Sequence, residues 1–107
     1  MLFAFMLTDK PGASELRLNV RPEHKAYLGA VQDQIAFAGP LTHDDGVTML
    51  GSLLVIDFET RDQAHAWLAH EPFMMAGLYA STVVHAFSNL WVQKAGFPPA
   101  QPQERAS

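Results

Sequence analysis

The run MLFAFMLTD, Met1–Asp9, decides the fold, because as a strand it is apolar on both faces. With side chains alternating, Met1, Phe3, Phe5 and Leu7 lie on one side and Leu2, Ala4 and Met6 on the other. A second run, MLGSLLVIDFE (Met49–Glu59), repeats the pattern, with Leu53 and Val55 opposite Leu54 and Ile56. Such strands need cover on both sides. Helices supply one layer, and the second is expected from the same sheet of a partner chain, as a two-fold homodimer. Met1–Asp9 is also too short for a membrane span or a signal core, and it meets TDKPG directly. It reads as a buried strand.

Outward from these strands, DKPGASELRLNV (Asp9–Val20) reads as a loop opened by Pro11 and Gly12. RPEHKAYL (Arg21–Leu28) predicts a helix start, with Pro22 at the first helical position and Glu23 near the positive end of the dipole. Tyr27, Leu28, Val31 and Ile35 give that helix its apolar stripe. AFAGP (Ala36–Pro40) reads as a short strand stopped by Gly39 and Pro40, and LTHDDG (Leu41–Gly46) as a turn. Thr60 and Gln63 form a capping-box pair opening a second helix, whose buried stripe is Ala64, Trp67 and Leu68. Pro72 breaks that helix, HEPFMMAGLYA (His70–Ala80) adds one short turn, and STVVHAFSNLWVQ (Ser81–Gln93) is the last strand.

The order β-α-β-β-α-β predicts an α+β, ferredoxin-like sandwich with both helices on one face of an antiparallel sheet. Pairing two such sheets gives a dimeric α/β barrel. Residues 1–94 form one domain, and residues 95–107, rich in Pro and polar side chains, are expected to be an irregular tail.

Seven basic and eleven acidic residues leave a net charge of −4, scattered along the chain, so no basic stripe exists to hold a nucleic acid. The chain has no Cys, which excludes disulfides, thiolate zinc sites and cysteine nucleophiles and suits the cytoplasm. Imidazole and carboxylate are the working groups that remain. His24 shares the stripe of Tyr27, Leu28 and Val31 at a helix start, where the dipole and partial burial favour a neutral ring able to accept a proton. The blander alternative is a half-buried histidine bonded to a backbone carbonyl. Glu71, before Pro72, is pushed toward an extended conformation at a helix end, where it can orient His24. Phe73, Met74 and Met75 would wall a nearby cavity, or simply fill core.

Thr42–Asp45 (THDD) sets a histidine and two carboxylates in a turn, but spacing fixes no third ligand, so no metal is expected there. His65 and His70 stand five apart, off a common helix face, and read as surface residues. His85, on the last strand, has no face assigned by alternation.

The opening strand, RPEHKAYL, FAGPL, GSLLVIDFET with DQAHAWL, and HEPFMMAGLY together resemble the YCII-related domain family over roughly residues 1–94. The resemblance implies ferredoxin-like subunits forming dimers, and a site in which a first-helix histidine pairs with an aspartate preceding Pro-Phe. His24 matches the histidine, Glu71 stands where the family has aspartate, and Gly39 and Pro40 match the AGP element beside the site. A few members eliminate hydrogen chloride from a chlorinated hydroxyquinol. The resemblance thus implies proton transfer on a small aromatic or cyclic molecule, with His24 as base, Glu71 orienting it, and Gly39 and Pro40 on the substrate side; Phe73, as a cavity wall, is expected to join them. Removing a proton beside a carbonyl or phenol needs no cofactor, and none is expected. The alternative is a non-catalytic dimeric module that binds a small ligand or a protein.

Overall fold

In the computed structural model, β1 (Leu2–Asp9) leads into α1 (Ser14–Gly29), and a 3-10 turn at Gln32–Gln34 precedes β2 (Ile35–Thr42). β3 (Met49–Asp57), α2 (Arg61–Ala69), the single turn α3 (Pro72–Met75) and β4 (Tyr79–Phe87) complete it. The structure describes residues 1–91 and 93, so the expected tail at 95–107 lies outside the described residues. The strands form one antiparallel sheet in the order β2-β3-β1-β4, which is the expected β-α-β-β-α-β arrangement. No helix among the described residues is long and apolar enough to cross a membrane.

The two apolar faces of β1 separate as the alternation requires. Phe3, Phe5 and Leu7 are fully buried and stand opposite Ile56, Leu54 and Ser52 of β3. Together with Trp67, Leu68 and Phe73 they make the core beneath the helices. Tyr27 ties α1 to α2 by donating its hydroxyl to the Trp67 carbonyl at 2.7 Å. The opposite face carries Met6, Phe37, Val83 and Phe87, each more than a third exposed, with Leu53 between them.

Three boundaries differ from the expectation. α1 begins at Ser14, not Pro22, so much of the expected loop Asp9–Val20 is helix and Pro22 lies inside it. Proline there removes the N–H that would meet the Leu18 carbonyl, but Leu18 and Pro22 are both exposed, so water can take that carbonyl's bond. β2 does not stop at Gly39 and Pro40; it continues to Thr42, because it is an edge strand and tolerates a residue with no N–H. β4 spans Tyr79–Phe87, starting earlier than expected, and the described residues from Ser88 to Trp91 are not strand. The second helix opens at Thr60 as read, its side chain accepting from Gln63 N–H at 3.1 Å, while Gln63 Oε1 accepts from Glu59 N–H, one residue before the Thr60 N–H of a full capping box.

Candidate active site

His24 sits in the second half of α1, fully buried, and not in a first turn beside the helix dipole. It shares the buried stripe with Arg17, seven residues earlier, and Leu28, four later. Its ring stacks on Phe73, with centroids 4.0 Å apart and planes 16° from parallel. Phe73 belongs to α3, the turn that Pro72 starts.

Glu71 caps that turn from an extended backbone, φ −69° and ψ 131°, as its place before proline requires. The Phe73 N–H donates to Glu71 Oε1 at 3.1 Å, and the Tyr79 hydroxyl donates to Oε2 at 2.9 Å. Oε1 also lies 2.5 Å from His24 Nδ1. A backbone N–H can only donate, and a carboxylate accepts, so the carboxylate fixes the proton of the ring on Nδ1. In the neutral ring Nε2 is then the bare nitrogen, and it is buried without a hydrogen-bond partner among the described residues. Gly77, at φ +77°, lets the chain leave α3 and return Tyr79 to the carboxylate. Burial and the Glu71 charge push the Tyr79 phenol far above its ordinary value, so it stays a donor.

A second buried polar cluster adjoins this one and was not anticipated from sequence. Arg17 donates Nε to Asp9 Oδ2 at 2.7 Å, and Nη2 to Asp9 Oδ1 at 3.1 Å and to Ser52 Oγ at 2.9 Å. Its guanidinium lies 4.7 Å from the centre of the Phe73 ring, so Phe73 touches both Arg17 and His24. The signal was present: once a helix is traced from Ser14, Arg17 falls on the face of His24. Reading Pro22 as a helix start hid it. Tyr79 gave no comparable signal, since the turn at Gly77 that returns it to Glu71, eight residues earlier, follows no fixed spacing rule.

Gly39 and Pro40 are half-buried in β2 opposite Leu53 and Ser52, which sets Pro40 beside the strand residue that binds Arg17. Two adjoining cavities, of about 680 and 410 Å³, open between the N-terminal part of α1 and the β2–β3 hairpin. Asp9 lines the first and Arg17 the second; His24, Glu71, Gly39, Pro40 and Phe73 line neither. Asp45 serves its own turn, accepting from Val47 N–H, Thr48 N–H and the Thr48 hydroxyl, which hold its carboxyl at about 2. His65, His70 and His85 are exposed, and His85 pairs with Ala4, which puts it on the open face.

A ferredoxin-like sheet whose first helix and α3 turn bring a histidine and a carboxylate together in the interior defines a class of small α+β domains. The chain matches the YCII-related domain family over residues 1–88 and belongs to that family. It is 33% identical to Protein YciI of Escherichia coli over 98 residues, covering 85% of this chain and all of the relative. An uncharacterized protein of Haemophilus influenzae is 31% identical over the same length. Among solved structures, the 5-chloro-2-hydroxyhydroquinone dehydrochlorinase TftG of Burkholderia phenoliruptrix, in complex with 2,5-dihydroxybenzoquinone, is similar at a TM-score of 0.77 and 33% identity. That match covers 82% of this chain and 94% of TftG.

Proposed function

We propose that the chain is a cofactor-independent cytoplasmic enzyme of lyase or isomerase type, moving a proton on a small aromatic or cyclic molecule. The observation that carries this reading is the bare, buried Nε2 of His24, held by Glu71 through the opposite ring nitrogen. A buried polar atom without a partner costs free energy, and it persists where a function needs it. In the reaction, Nε2 takes a proton from an O–H or C–H bond, whose electron pair forms a new double bond as the leaving group departs with its own pair. With chloride as that group, the step is elimination of hydrogen chloride. The likeness to TftG, whose name states that chemistry, supports this case. Glu71 orients the ring and offsets the charge it gains. Of the residues expected on the substrate side, Phe73 is supported by its stacking on that ring, while Gly39 and Pro40 line neither cavity. The open apolar face of the sheet supports a homodimer closed sheet to sheet into an α/β barrel.

The complete burial of the dyad, which lines neither cavity, favours a second reading: a non-catalytic dimeric binding or interaction module in which the pair is structural. A panel of chlorinated and unchlorinated hydroxyquinols and hydroxyquinones, followed by absorbance and chloride release, separates the two. The enzyme reading expects turnover that falls about a hundred-fold or more in a folded His24→Gln variant. Turnover unchanged by His24→Gln, or a panel left untouched, contradicts it.

A further inference from the structure

The geometry points to the paired cavities beside Arg17 as the binding site of a small anion, a molecule carrying a carboxylate or an ionised phenolic oxygen. This deepens the enzyme reading above and rests on it for the idea that the ligand is a substrate. The cavities share Ser14, Thr48 and Met49, so they form one continuous cleft. Arg17 lines it, and Asp9 is the one carboxylate among the described lining residues. Asp9 itself is committed to Arg17 through two bonds.

Arg17 is 5% exposed, yet it reaches the cleft. Asp9 and Ser52 engage Nε and Nη2, and Phe73 supports the guanidinium plane. Nη1 makes none of these bonds. A guanidinium fixed on three sides loses little freedom when its last arm meets an anion, and a planar oxyanion suits its geometry. Ala13 and Ser14 bring the positive end of α1 to the same cleft, and no side chain caps that end. Leu18, Val47 and Met49 add an apolar wall for a ring or short chain. Because Phe73 touches both Arg17 and His24, an anion held at Arg17 lies one ring from the base.

The test is an NMR titration of the whole isotope-labelled chain with benzoate, with pentafluorophenolate, and with benzamide as the uncharged counterpart of benzoate. We expect at least one anion to shift the amides of Ser14, Arg17 and Thr48 saturably, and benzamide to bind roughly tenfold more weakly or less. The tighter anion identifies the source of the charge as carboxylate or phenolate. Arg17→Lys should weaken the anion about tenfold and leave benzamide unchanged, since lysine keeps the charge but loses the fork. If that variant fails to fold, the contrast between anions and benzamide on the native chain still decides. Equal binding of benzamide, shifts centred away from the cleft, or no saturable anion binding overturns the inference. Turnover dependent on His24 but indifferent to substrate charge would overturn it too, while leaving the catalytic reading standing. Anion binding in the cleft with no compound turned over would support it and overturn the catalytic reading instead.

Discussion

Glu71 joins three parts of the interior, since it caps α3, accepts from Tyr79 and holds His24. Removing the carboxylate leaves the Phe73 N–H, the Tyr79 hydroxyl and the His24 Nδ1–H buried and unmet, so Glu71→Ala should lower unfolding free energy by roughly 3 kcal/mol or more in urea titrations. A loss below about 1 kcal/mol would mean that the network is not closed as described. The phenols offer a pH test. Burial and the Glu71 charge raise both tyrosines, Tyr27 and Tyr79, above the ordinary 10.0. The folded state therefore keeps protons that the unfolded chain releases, so this stability is whole below pH 10.0 and falls as pH rises beyond it. Tyrosinate absorbance at that pH should be less than half developed in the native protein, and Tyr79→Phe should flatten the alkaline fall in stability. A normal phenol titration in the native state would contradict the burial of Tyr79 beside Glu71. At this scale the sequence was half legible: His24 and Glu71 stood out by type and by the proline that follows. Asp9, Arg17, Ser52 and Tyr79 did not, because their partners are set by tertiary packing.

Among the elements, strands with two apolar faces and the Thr60–Gln63 cap could be read directly, since pleat and cap are local rules. Helix α1 could not, because Pro22 imitates a start signal, while its true beginning at Ser14 has no side-chain cap. Pro22 is exposed and interior, so Pro22→Ala should restore a helix bond and raise stability by about 1–3 kcal/mol. No gain in the urea midpoint would place the helix start nearer to Pro22. Close packing between β3 and β1 gives a second check. A Cβ at Gly51 would overlap the Leu7 carbonyl oxygen, backbone that cannot step aside. Gly51→Ala should therefore cost several kcal/mol, on the order of 3, or abolish folding. A neutral substitution would mean that the two strands stand further apart.

For the molecule as a whole, the open face of the sheet is an apolar surface left partly exposed among the described residues. Met6, Phe37, Val83 and Phe87 lie there, whereas Phe5 faces the core. The dimer reading expects sedimentation at about twice the chain mass of 11.8 kDa. Met6→Glu should give a folded monomer, and Phe5→Glu should unfold. A native monomer at micromolar concentration would remove the partner sheet. The fold holds the His24 ring with its proton on Nδ1 and leaves Nε2 bare, the state that the proposed reaction needs. Long-range proton–nitrogen correlation NMR of the histidine rings reads this directly. The account predicts that the neutral His24 ring is protonated at Nδ1, with an unprotonated Nε2, and that Glu71→Gln disturbs this state. A neutral ring carrying its proton on Nε2 would contradict it.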